Sequence, residues 1–117
     1  MNPKKKRVQM NDIDNEPDLH LSGKEALVLD LLLSRGNREK YGLEMVTESR
    51  GGLKRGTIYV TLGRMEEARL VESHEEPTPE GETGPRRRLY RATGDGERAW
   101  QARNAWRTAL GLKPSLA

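Results

Sequence analysis

Apolar residues recur with a helical period in four segments of this chain and alternate like strands in two, and the order of those segments predicts the fold. The first segment opens at Ser22, which forms an S-x-x-E capping box with Glu25, and Leu21 precedes it as an apolar staple. Ala26, Leu27, Leu29, Leu31, Leu32 and Leu33 follow, apolar nearly all round, which predicts a core helix ending near Gly36. A shorter helix is expected from Tyr41 to Ser49, with Leu43 and Val46 inward and Met45 beside them, closed by a tight turn at Gly51 and Gly52. A third, from about Lys54 to Ala68, puts Ile58, Leu62 and Met65 on one stripe. Its other face is left to Lys54, Arg55, Thr57, Tyr59, Val60, Gly63 and Arg64.

Beyond it, Val71 to Glu75 and Arg87 to Ala92 read as two strands joined by a loop rich in Pro and Gly, a hairpin. Thr93 is placed to cap a last helix from about Asp95 to Leu110. The apolar stripe of this helix is Ala99, Ala102, Trp106 and Leu110, with Trp100 at its edge. No other predicted element is left for the stripe to cover, so both tryptophans are expected to anchor a contact with a second copy. The resulting fold class is mainly α with a small antiparallel β-hairpin: a winged helix-turn-helix followed by a C-terminal dimerisation helix. Residues 1–20 lack apolar periodicity and are expected to form a flexible arm, 21–93 the winged domain, and 94–117 the dimerisation helix and tail.

At 117 residues and 33% hydrophobic content the chain has room for one domain with a small core. A mean hydropathy of −0.89 and the lack of a long apolar run argue against a membrane span and for a cytoplasmic protein. There is no cysteine, so disulfides, thiolate-bound zinc and thiol catalysis drop out, and the two histidines, His20 and His74, lack metal-site spacing. No cofactor and no metal are expected. Ser73 and His74 are adjacent on a predicted strand, where neighbours point to opposite faces, so they do not pair as nucleophile and base. Nothing converges as an enzyme's groups must.

The net charge of +3 conceals a partition. Residues 35–64 hold seven basic and three acidic side chains and residues 85–113 eight and two, whereas residues 65–84 hold one and seven. The two positive stretches carry the third helix and the second strand, which matters because phosphate binding follows local fields. A major-groove helix is read from its N-terminal turns. Lys54, Arg55, Arg64 and Arg86 to Arg88 are therefore the phosphate candidates, and Thr57, Tyr59 and Val60 the base-edge candidates. Gly63 weakens the helix and suggests close approach to another backbone. In the second strand Leu89 is expected to face the core, which assigns Arg86 and Arg88 to DNA and leaves Arg87 on the core edge or paired with Glu72. Lys4, Lys5, Lys6 and Arg7 suggest an auxiliary groove contact by the arm.

With these residues in place, the chain from about Leu21 to Leu112 resembles the PadR-type winged-helix transcriptional regulators. The likeness rests on Tyr41-Gly42-Leu43-Glu44, where that family usually has His-Gly-Tyr-Glu, on Gly56-Thr57-Ile58-Tyr59, on Leu62-Gly63-Arg64-Met65-Glu66, and on Arg87-Arg88-Leu89-Tyr90-Arg91-Ala92-Thr93 with Gly96. It implies a homodimer on a pseudo-palindromic operator, with double-stranded DNA as partner and a repressor's role. Some relatives release DNA on binding aromatic or cationic small molecules at the dimer interface. The resemblance thus makes Ala99, Trp100, Ala102, Trp106 and Leu110 an interface and an effector site. Departures are Val60 for the family's Pro, Lys54 for a capping Ser or Thr, and Arg69 for the Gly before the first wing strand, which suggests a different turn. The acidic loop, with Glu75, Glu76, Glu80 and Glu82, keeps a second function open: a winged module for protein contact. Salt-dependent binding to duplex DNA discriminates the two.

Overall fold

The computed structural model describes residues 21–77, 81 and 87–111. Helix α1 (Gly23–Leu33) begins at the expected capping box: Glu25 N–H donates to Ser22 Oγ and Ser22 N–H to the Glu25 carboxylate. Strand β1 (Lys40–Tyr41), helix α2 (Gly42–Glu48) and helix α3 (Ile58–Glu67) follow, then strands β2 (Val71–Glu75) and β3 (Arg88–Ala92) and helix α4 (Gly94–Ala109). The expected hairpin is part of a three-stranded antiparallel sheet ordered β1-β3-β2. Register is set by Lys40 opposite Tyr90 and by Ser73 opposite Tyr90 on the other side. β1 is only two residues long, too short to show a period. Just upstream, the Asn37 amide donates to Ala92 C=O at 2.8 Å and accepts from Ala92 N–H, occupying a ladder position with a side chain.

The core is a single cluster of Val28, Leu29, Leu32, Met45, Leu53, Ile58, Leu62, Met65, Val71, Tyr90 and Ala92, with Leu33 at its edge. The α3 stripe Ile58, Leu62, Met65 is buried as expected. In α2 the expectation is corrected: Met45 is fully buried and Leu43 is 39% exposed. Seven residues make two turns, so the inward direction there is set by where α1 and α3 lie and not by the helix's own period. α3 starts four residues later than expected. Lys54 supplies no capping oxygen, and Lys54 to Thr57 form a turn in which Lys54 C=O accepts from Thr57 N–H and Ile58 N–H.

Between α2 and α3 the chain reverses at Arg50 and Gly51, both with positive φ, while Ser49 Oγ accepts from Leu53 N–H at 2.8 Å. After α3, Arg69 takes φ +64, the left-handed turn that its size argued against. Its cost of about 1–2 kcal/mol is offset by the bonds the turn makes, since Leu70 N–H donates to Met65 C=O and Thr93 N–H to Leu70 C=O.

α4 is capped as expected, Thr93 Oγ1 accepting from Gly96 N–H at 3.0 Å. Gly96 is buried, and a Cβ there would strike Leu70 C=O, so the position requires glycine. Of the two tryptophans, Trp100 packs on this chain's own core and donates its indole N–H to Asp30 at 2.8 Å. Trp106 is 42% exposed and Leu110 59%. The apolar side of α4 is therefore split, Trp100 turned onto the core and Trp106 and Leu110 exposed. The N-terminal arm, most of the wing loop including Arg86, and the tail lie outside the described residues.

Candidate nucleic-acid interface

α3 presents an outward ridge. Tyr59, Val60, Gly63 and Arg64 are exposed along it, and Thr57, Arg55 and Lys54 are exposed in the turn that leads in. Among the described residues nothing lies within 4 Å of a Cβ built on Gly63, so they give its lost helix propensity no packing cause. Tyr59 is 52% exposed, with its ring edge set against Gly42, where an added Cβ would lie 2.8 Å from Cε1. Gly42 is needed for that approach, and the ring is thereby fixed at the junction of α2 and α3.

Two grooves flank the ridge. One runs between α3 and the start of α1, lined by Ser22, Lys24, Glu25, Thr57, Val60 and Arg64 among others. The other runs between α2, α3 and the sheet, lined by Tyr41, Leu43, Glu44, Thr47, Tyr59, Arg87, Arg88 and Tyr90. The expected set of Thr57, Tyr59, Val60, Arg64 and Arg88 is thus assembled around one ridge, and Tyr41, Leu43, Thr47, Lys24 and Arg87 join it. Arg87 lies in the second basic motif and was set on the core edge by strand parity alone, whereas Tyr41, Leu43, Thr47 and Lys24 come from β1, α2 and α1, outside the two basic motifs that direct attention.

The parity of β3 reverses the expectation for the wing. Tyr90 and Ala92 are buried, and Leu89 is only half-buried on the other face. The aliphatic side chain looked like the better core residue. What decides is that Tyr90 and Ala92 are in step while Arg91 and Arg87 fall on Leu89's side. Glu72 is opposite Arg91 and pairs with it at 3.4 Å, not with Arg87. Arg88 turns toward β2, where its Nε donates to Ser73 Oγ at 3.1 Å and its guanidinium lies 3.9 Å from Glu75. Arg87 lies over the Tyr41 ring, 4.9 Å from the centroid, and the Tyr41 hydroxyl donates to the Glu76 carboxylate.

Electrostatics favour neutral phenols here. The hydrogen bond to Glu76, helped by burial, pushes the Tyr41 hydroxyl above its usual pKa of 10.0, and burial does the same for Tyr90. Both stay protonated donors in the working range. Among the described residues no group of three or more His, Cys, Asp or Glu side chains could hold a metal ion.

Residues 28–102 match the family model of the transcriptional regulator PadR-like family. A solved PadR family transcription regulator from Clostridium difficile is similar, with a TM-score of 0.64 and 26% identity over 77% of this chain and 92% of that one. A Streptococcus transcriptional regulator gives 0.53 and 28%, over 74% and 83%. A PadR-like transcription factor from Bacteroides fragilis gives 0.65 at 21% identity, over 86% and 93%, a likeness of fold. Comparison with curated proteins finds no match.

Proposed function

Because the chain belongs to the PadR-like family of transcriptional regulators, we propose that it binds duplex DNA as a homodimer, with α3 as recognition helix and the β2–β3 hairpin as wing. The observation that carries this is the α3 ridge, a row of exposed side chains flanked by grooves that bring in Lys24, Arg64, Arg87 and Arg88. Thr57, Tyr59 and Val60 are assigned to base edges, and Lys54, Arg55, Arg64 and the wing arginines Arg86 to Arg88 to phosphates. Gly63 gives the DNA backbone room to approach. A pseudo-palindromic operator follows from two-fold symmetry, and repression from occupancy of a promoter.

In this reading residues 21–93 bind DNA, residues 94–117 dimerise, and the arm adds a groove contact. Ala99, Ala102, Trp106 and Leu110 belong to the dimer contact, and an aromatic or cationic effector would meet Trp106 there; Trp100 is already committed to Asp30. A cytoplasmic location fits this role, and no helix among the described residues is long and apolar enough to cross a membrane.

The protein-contact alternative drew on the acidic wing loop. Glu75 lies near Arg88 and Glu76 accepts from Tyr41, so two of its four acids are engaged inside the wing. Selection of bound duplexes from a random pool tests the proposal directly, since it should return paired half-sites. Arg55→Ala and Arg64→Ala should each weaken binding, and where the lost contact is to phosphate the salt slope should fall by about one. Failure to bind any duplex at low salt would favour the protein-contact reading.

A further inference from the structure

We propose that the groove between α2 and the wing seats one backbone phosphate of the duplex, gripped by Arg87, and that Tyr41 and Glu76 are positioning residues that hold the Arg87 guanidinium for it. This rests on the DNA-binding reading above. The groove is continuous with the α3 ridge because Tyr59 lines both, so a duplex laid on α3 passes its mouth. Its lining includes two arginines, Arg87 and Arg88, and two hydroxyl-bearing residues, Tyr59 and Thr47. Planar forks and hydroxyl donors are the groups that grip phosphate oxygens.

Arg87 is singled out by how it is held. Its neighbour Arg88 is turned to Ser73 and Glu75 on β2, whereas Arg87 has its guanidinium carbon over the Tyr41 ring. That ring is itself fixed from three directions. Its backbone is in the ladder opposite Leu89, its N–H donates to Glu44 Oε1 at 3.1 Å, and its hydroxyl donates to Glu76. The nearby acids are therefore engaged: Glu76 by the phenol, and Glu44 by the Tyr41 amide and by Lys40 at 4.0 Å. The Tyr41 hydroxyl, raised in pKa by Glu76, remains a donor throughout the neutral range. A long flexible side chain is thus stacked in place before DNA arrives, which cuts the ordering cost of the contact.

The test is a salt titration of duplex binding by the full chain and by Arg87→Ala, Tyr41→Leu and the double variant. Arg87→Ala should weaken binding about tenfold for all duplexes alike and lower the log–log salt slope by about 0.9, the loss of one phosphate. Tyr41→Leu should cost roughly threefold, and the double variant should be no weaker than Arg87→Ala, because the ring acts only through the guanidinium. Where Tyr41→Leu fails to fold, Tyr41→Phe, which removes only the anchor to Glu76, is run through the same cycle. An unchanged slope in Arg87→Ala, or losses that add in full, overturns the assignment while leaving DNA binding intact. An unmodified protein that binds no duplex overturns the regulator reading and this one with it.

Discussion

His74 on β2 and Glu39 just ahead of β1 reach across the central strand to each other, Nε2 to Oε2 at 2.8 Å. That hydrogen bond, followed by the one to Glu75 C=O, raises the imidazole above its ordinary pKa of 6.5. A pKa raised on folding means that the protonated form is favoured by the fold. The contribution is fully present below pH 6.5 and is lost as pH rises through the raised value. Both side chains are exposed, so the effect on stability is small; the titration itself is the measurement. An NMR titration should find the His74 midpoint above 6.5, and Glu39→Gln should bring it down; equal midpoints in the two proteins would refute the pairing. Arg69 offers a second test at this scale. A glycine adopts its φ of +64 without the steric cost but loosens the unfolded chain, so Arg69→Gly should raise stability by about 0.5–1 kcal/mol in a denaturant melt. The turn at Arg69 was misjudged from sequence because the residue alone argues against positive φ, while the bonds that enforce it come from Met65 and Thr93, one of them 24 residues away.

Elements were readable to the degree that their own side chains decide them. α1 and α4 begin at the expected caps, Ser22 and Thr93, because a cap is a local hydrogen bond. α3 shows its period because ten residues carry three buried positions at helical spacing. β1, the inward side of α2 and the parity of β3 are set by neighbours far along the chain, and the sequence does not encode them locally. α4 is held to the winged domain by two features: Gly96 pressed on Leu70 C=O, and the Trp100 indole bonded to Asp30, a carboxylate only 3% exposed. Gly96→Ala should therefore destabilise by about 1–3 kcal/mol, since the rigid carbonyl must move. Trp100→Phe keeps most of the ring but removes a donor to a buried carboxylate, and should cost a similar 1–3 kcal/mol. Calorimetry on both variants checks this, and melting unchanged in Trp100→Phe would show that the Asp30 bond does not hold the helix.

For the whole molecule, charge and apolar surface divide the labour. Positive stretches flank the α3 ridge, while the end of α4 leaves Trp106 and Leu110 exposed on a chain whose buried core, among the described residues, is little more than a dozen side chains. Large apolar residues left open at one end of a helix, in a protein this small, favour a second copy as the cover. The split of the α4 stripe sharpens the expectation taken from sequence. Trp100 is part of the monomer's fold, so removing it should unfold the chain and the dimer together. Trp106 and Leu110 are exposed and stand outside the core cluster, so Trp106→Ala should leave the monomer folded and chiefly weaken association. The loss of one ring at a buried contact is about 3 kcal/mol or more, and a dimer loses two, so the dimer dissociation constant should rise by at least roughly 150-fold. Sedimentation at micromolar concentration should find the unmodified chain dimeric and Trp106→Ala monomeric with an unchanged circular dichroism spectrum. DNA binding should weaken in step, because two half-sites must then be filled by separate molecules. An unmodified chain that sediments as a stable monomer would overturn the dimer, and the exposed end of α4 would need another partner.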